Sequence, residues 1–509
     1  MEVNNMELQE LSKDKVIREC VEAILASSSH PQLIAQLDTK KGGVNTQVIM
    51  SSYKAEKAGE PVQVASANGS TVPLYKRDVE VGDYDPFQHR KVDHPTSDMD
   101  TFIHLLKGSL GSGILAMPYA FGNAGLFLGL ACTFAIGIIC TYCIHILVKS
   151  AHELSRRTKV PSLGFAEVAE AAFLAGPPNF RPWAKFAKAS INLFLVIDLL
   201  GCCCVYIVFC SENIKQVIEF YAKDYPEYHF DLRMYMALML PLLIPINLIR
   251  NLKFISPLSM IANILVASSI GITFYYIFSD LPPLDSQPFV VSITKLPVFF
   301  GTAIFALEGI GVVMPLENNM ANPHHFIGCP GVLNTGMFFV VGLYAATGFS
   351  GFLKYGSNTA ASITLNLPVN EPLAQSVKVM IAIAIFFTYA LQFYVPMEII
   401  WKALKNNFSA ERQNFANYSI RISLVFVTVV LAILIPNLGG FINLVGAVCL
   451  SMLGLIFPAT IDLVTFYEEP GLGRYNWRLY KNLFLIMFGI VGFLTGSYVS
   501  IVDIMASYK

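Results

Sequence analysis

From about residue 100 onward the chain is a succession of apolar runs long enough to cross a bilayer, and no other feature restricts its fold so severely. A hydrocarbon core about 30 Å thick requires about 20 mostly apolar residues per spanning helix. Runs of that kind fall at roughly 101–122, 124–148, 187–211, 233–249, 256–279, 294–316, 332–353, 374–401, 420–436, 438–464 and 478–503. Breakers punctuate the joints, as in "DLPPLDSQP", "ENNMANPHHF" and "EEPGLGRYN". Lipid offers the backbone no hydrogen-bond partners, so spans of this length must be helices. The expected fold is therefore an all-α integral membrane protein of eleven transmembrane helices. Charged residues make up only 14% of the chain, where soluble proteins carry about a quarter. A formal net charge of -1 offers no basic surface for nucleic acid.

Residues 1–98 have a different character. They are polar, Gly/Ser/Ala-rich and poorly periodic, which predicts a largely disordered tail ahead of a membrane domain at 99–505. An amphipathic helix is expected near 6–25, and "YDPF" (Tyr84 to Phe87) has the form of a signal read by trafficking partners. Lysine and arginine orient the spans. Loops on the tail's side hold sixteen of them and the opposite side seven, so the amino terminus is expected in the cytosol and the carboxyl terminus outside or in a lumen.

Two spans contain their own breakers. The first reads "GSLGSGILAMP" and the sixth "FALEGIGVVMP", each with glycines ahead of an apolar run that closes on Met-Pro. Each opens a set of five spans, and because five is odd the second set enters from the opposite side. This is the pattern of a 5+5 inverted repeat with broken helices 1 and 6, plus an eleventh helix. Unwinding at Gly108, Ser109, Gly111, Ser112 and Gly113, and at Glu308, Gly309 and Gly311, would free N–H and C=O groups inside the protein. A new half-helix points its positive end at a carboxylate, and freed carbonyls suit an ammonium group. Together they describe a receptor for an amino acid. The competing reading makes the glycines a packing seam between helices.

Three ionisable groups stand out within the spans. His104 lies one turn before Gly108 and titrates near physiological pH, which suits proton coupling; alternatively it bonds a backbone carbonyl. Glu308 either takes a substrate ammonium or a proton, or caps freed N–H groups. Asp198 is a second protonatable site or a partner of Lys107. Glu317 and Glu398, near span ends, read as structural, and Tyr206 and Tyr389 as side chains reaching the pocket. Spacings of Cys, His and acidic residues match no metal site, and no cofactor is expected.

The stretches "HLLKGSLGSGILAMP", "FGTAIFALEGIGVVMPLENNM", "SITLNLP" and "FFTYALQFYVPMEII" closely resemble the proton-coupled amino-acid transporters of the amino acid/auxin permease superfamily. The run "YDPF…HR…HPTS" is similar to insect members. The resemblance covers about residues 95–505 and implies an eleven-span LeuT-type core with a cytosolic amino terminus. It further implies symport of protons with small neutral amino acids such as glycine, alanine and proline, at the plasma or lysosomal membrane. By the same resemblance His104 is the proton-coupling histidine. Vertebrate members carry an external disulfide whose cysteines are absent from "YAKDYPEYHFD" and "LNLPVNEP". The resulting expectation is a transporter, not an enzyme, working by alternating access. Sodium coupling, amino-acid exchange, or a receptor signalling through the tail are the rival readings.

Overall fold

The computed structural model describes residues 63–65, 71–73, 85–90, 92, 94–109, 111–225, 229–250, 252–307, 309–468 and 470–508, with backbone alone at 63–65, 71–73 and 252–257. The amphipathic segment near 6–25, Tyr84 and Glu308 lie outside the described residues. Two units are separate. In the first, Met1–Lys76, a short hairpin pairs β1 (Gln63–Ala65) antiparallel with β2 (Thr71–Pro73).

In the second unit, Arg77–Lys509, the regular structure among the described residues is helical, with one isolated bridge between Thr96 and Met320. Its helices are α1 (Asp98–Ser109), α2 (Gly113–Ala124), α3 (Leu126–Thr158), α4 (Phe165–Ala175) and α5 (Ala184–Tyr221). Then come α6 (Leu232–Asn247), α7 (Leu252–Phe278), α8 (Leu296–Ala306), α9 (Ile310–Asn318) and α10 (Val332–Tyr355). The last are α11 (Pro372–Leu404), α12 (Gln413–Leu434), α13 (Leu438–Val445), a π-helical stretch Gly446–Ile456, α14 (Phe457–Thr465) and α15 (Trp477–Ala506).

Among the described residues nine helices are long and apolar enough to cross a membrane, α8 with α9 counting as one. Two of the eleven expected spans fall short of that length. The first is divided into α1 and α2, of 12 residues each. The fourth, α6, has 16 residues and two internal prolines, which at 1.5 Å per residue reaches about 24 Å. The outward faces agree with a lipid setting. On α15, Phe484, Met487, Val491, Leu494 and Tyr498 form an exposed stripe at helical spacing, which water would not tolerate at this size.

Small residues set the core spacing around α8. A Cβ on Gly301 would lie 2.7 Å from the Asn443 carbonyl oxygen, and one on Gly446 would lie 2.0 Å from the Gly301 carbonyl oxygen. Helix α8 therefore rests backbone to backbone on the junction of α13 with the π-helical stretch. At the other end of the bundle, Ser97 and Asp100 cap α1 reciprocally. The Asp100 N–H donates to Ser97 Oγ at 3.2 Å, and the Ser97 N–H and hydroxyl donate to Asp100 Oδ2 at 3.2 and 2.7 Å. These bonds hold the Asp100 carboxyl below the usual carboxylate range.

Candidate substrate site at two helix breaks

The two interruptions occur where the glycines stand. Helix α1 stops at Ser109 and α2 starts at Gly113; α8 stops at Ala306 and α9 starts at Ile310. The start of α1 lies beside the end of α9: the Thr96 N–H donates to the Asn319 carbonyl at 2.8 Å, and the Ala321 N–H to the Thr96 carbonyl at 2.9 Å. The end of α2 lies beside the start of α8, where the Leu126 N–H donates to the Pro288 carbonyl at 3.1 Å and the Val291 N–H to the Ala124 carbonyl at 2.9 Å. The interrupted helices therefore run antiparallel. Their gaps coincide, because a Cβ on Gly309 would sit 3.2 Å from Ser109 Oγ. A Cβ on Gly113 would sit 2.6 Å from Ala306 Cα, and one on Gly108 3.1 Å from Val312 Cγ2.

Polar capacity is left over at this crossing. Ser109 is buried, yet its Oγ finds no hydrogen-bond partner among the described residues. Its carbonyl accepts the Tyr344 hydroxyl at 2.5 Å, which fixes the frayed end of α1 to α10. Ser112, the residue before α2, makes no side-chain cap bond. A Cβ on Gly111 or Gly311 would meet nothing within 4 Å, so both glycines border open space. The residues that flank the breaks in the chain are apolar and buried, Ile114 at 0% and Phe305 at 7% exposure. An unpaired buried hydroxyl costs about 1–3 kcal/mol, a penalty that a polar ligand would relieve.

The ionisable residues are distributed unevenly. His104, Lys107, Gly108 and Gly111 are exposed along α1, opposite exposed Gly311 and Val312 on α9. This stripe leads from the start of α1 to the gap. Asp198 is wholly buried in α5, three residues from Gly201, which packs on Val445 of α13. Lys107 is exposed where Asp198 is enclosed. The Tyr389 hydroxyl is engaged with Thr428 Oγ1 at 2.7 Å and stacks on Phe393, so it turns to α12. Two cavities, of about 510 and 460 Å³, lie elsewhere: one beside Arg90, Pro161 and Asn318, the other beside Tyr119, Lys295 and Asp503.

One charged cluster was not anticipated. Glu317 is wholly buried at the end of α9, and its Oε1 meets both Arg90 at 3.1 Å and His152 at 2.8 Å. Phe87 of the "YDPF" run packs edge-on between the rings of His152 and His324, at 4.9 and 4.3 Å. Phe87, Arg90 and Thr96, assigned by composition to the tail, thus pack on the bundle.

A membrane-embedded bundle in which two interrupted helices cross antiparallel, with unspent polar groups at the crossing, has the form of a solute carrier. The chain belongs to the transmembrane amino acid transporter family, whose model matches residues 94–502. It is 46% identical over 427 residues to the proton-coupled amino acid transporter-like protein pathetic of Drosophila melanogaster, covering 84% of this chain and 89% of that one. It is 26% identical over 414 residues to the probable amino acid transporter skat-1 of Caenorhabditis elegans, covering 80% of this chain and 89% of that one. Among solved structures, MhsT in complex with L-phenylalanine aligns at 14% identity with a TM-score of 0.44, covering 79% of this chain and 98% of that chain. Mhp1, a nucleobase-cation-symport-1 family transporter in a closed conformation with bromovinylhydantoin bound, aligns at 13% identity with a TM-score of 0.43, covering 84% of this chain and 96% of that chain.

Proposed function

We propose that this amino-acid transporter is a proton-coupled symporter of small neutral amino acids working by alternating access. The observation that carries the reading is the coincidence of the two gaps, with Ser109 Oγ set against Gly309 and unpartnered among the described residues, and open space at Gly111 and Gly311. A zwitterion placed there meets the positive end of α2 with its carboxylate and the carbonyl end of α1 or α8 with its ammonium. The apolar neighbours Ile114 and Phe305 leave no partner for a charged side chain, which favours glycine, alanine or proline. Proton coupling is supported by His104 on the exposed stripe, and by the name of the Drosophila relative. The charge asymmetry of the loops supports a cytosolic amino terminus, and the family resemblance suggests the plasma or lysosomal membrane.

The test is uptake of a labelled amino-acid panel into proteoliposomes under imposed gradients. Uptake of alanine or proline driven by an inward proton gradient, without sodium, is the expected result. Uptake that requires sodium, or that proceeds only by exchange against a preloaded amino acid, refutes proton symport.

A further inference from the structure

We propose that Glu317 is a positioning residue: with Arg90 and His152 it lashes residues 85–98 across the bundle, so that α1, α3 and α9 move as one body. The inference rests on the alternating-access reading of the two helix breaks.

The attachment is built from several independent contacts. Arg90 Nε donates to the Pro161 carbonyl at 3.0 Å, and its Nη1 donates to both the carbonyl (3.2 Å) and Oε1 (3.1 Å) of Glu317. Its guanidinium also lies 5.1 Å from the Phe87 ring centre. Nearer to α1, Thr96 forms the bridge to Met320, and Asp98 Oδ2 pairs with His325 Nδ1 at 2.7 Å. The segment therefore joins the base of α1 to the end of α9, to α3 through His152, and to the 319–325 loop that leads into α10. Helix α1 is itself packed on α10. A Cβ on Gly336 would lie 2.5 Å from Leu105 Cδ2, and the Phe102 and Phe339 rings meet edge-on at 6.0 Å.

Burial explains why the carboxylate governs the arrangement. Arg90 and His152 both converge on Oε1, while Oε2 has no partner among the described residues. A buried ion pair adds little net stability, because desolvation offsets its attraction. Its effect is on register: removing one partner strands a charge in a dry site, so the elements stay aligned only while all members are in place. Such a lashing suits a carrier. If α1 moved away from α9, the two gaps would separate and the site would come apart mid-cycle; rocking as one body moves it intact.

The full chain in proteoliposomes decides the matter. Glu317→Gln and Arg90→Met should each lower maximal alanine flux about tenfold at unchanged KM and equal protein content. The double variant should be no worse than the poorer single one, as expected of residues acting as a unit. Trypsin in detergent should cleave after Arg90 at least tenfold faster in Glu317→Gln than in the native chain, read by mass spectrometry. A disulfide between Thr96→Cys and Met320→Cys, at a bridged pair within reach of such a bond, should leave at least half the flux of the reduced form. Abolition of flux by that disulfide shows that the segment must detach in each cycle, and overturns the proposal. So do multiplicative losses in the double variant, or unchanged cleavage after Arg90. A native chain that moves no amino acid would refute the transport reading, while the cleavage arm still reports whether Glu317 holds the segment.

Discussion

At Ser109 a buried hydroxyl faces Gly309 without a partner among the described residues, so removing it should separate binding from stability. Deleting an unpaired buried donor leaves the fold unharmed, whereas losing one ligand hydrogen bond costs about 1 kcal/mol. Ser109→Ala should therefore raise the KM for alanine roughly fivefold and leave the unfolding temperature unchanged or slightly higher, measured by uptake and by thermal denaturation in detergent. A lower unfolding temperature with unchanged KM would assign Ser109 to packing. His104 makes a different prediction. It stands exposed one turn from Gly108, on the same face of α1 as Lys107. His104→Ala should flatten the pH dependence of flux between about pH 5.5 and 7.5; a variant that keeps the native profile at native abundance refutes the assignment. Ser109 and Gly309 were legible because two breakers in a lipid-length run have few explanations. Their partner Tyr344 was not, since it approaches from 235 residues away and no local pattern marks it. Glu317 was read as an ordinary span-end charge for the same reason: its partners Arg90 and His152 lie 227 and 165 residues distant.

The interrupted helices offer two glycines with opposite surroundings. Gly113 lies against backbone, where a side chain would fall 2.6 Å from Ala306 Cα, while the space beside Gly111 is open. Gly113→Val should force α2 from α8 and destabilise the protein by about 1–3 kcal/mol, the usual cost of overpacking, seen as a lower unfolding temperature. Gly111→Val should fold normally and obstruct the gap, lowering alanine affinity at least tenfold. Equal unfolding losses in both variants would mean that the two glycines serve one packing seam. The contrast also marks how far sequence patterns reach. Apolar runs announced the helices, and the Gly-rich stretches announced both breaks. The ends were less visible: α5 continues to Tyr221, ten residues past the apolar run, because "SENIKQ" remains helical where one face still packs. The π-helical stretch Gly446–Ile456 had no forecast: it begins where Gly446 meets the Gly301 carbonyl of α8, a tertiary contact that no local pattern marks.

For the whole molecule, the amino-terminal region divides at a place that composition did not show. Polar character runs on to residue 98, but residues 85–98 are bound to the bundle through Phe87, Arg90, Thr96 and Asp98. Packing of a few residues on a distant surface leaves no periodic trace, so a boundary drawn from composition falls late. Two deletions convert this into a transport measurement. Removing residues 1–80 spares every one of those contacts, and a carrier should then keep its maximal alanine flux within about twofold, since the gaps and their lashing are intact. Removing 1–92 takes away Arg90 and Phe87 and leaves Glu317 buried with His152 alone, a costly state for a carboxylate. Flux should fall about tenfold at unchanged KM, as in Arg90→Met, because the site is unaltered and only the concerted movement suffers. Both are read as initial uptake per molecule of reconstituted protein. The comparison also separates a carrier from a receptor that signals through its tail: a receptor loses its output with the first deletion, while its binding site remains intact in both. Loss of flux on deleting 1–80, with the protein folded and alanine still bound, would favour the receptor and place the working part of the tail ahead of the attached segment.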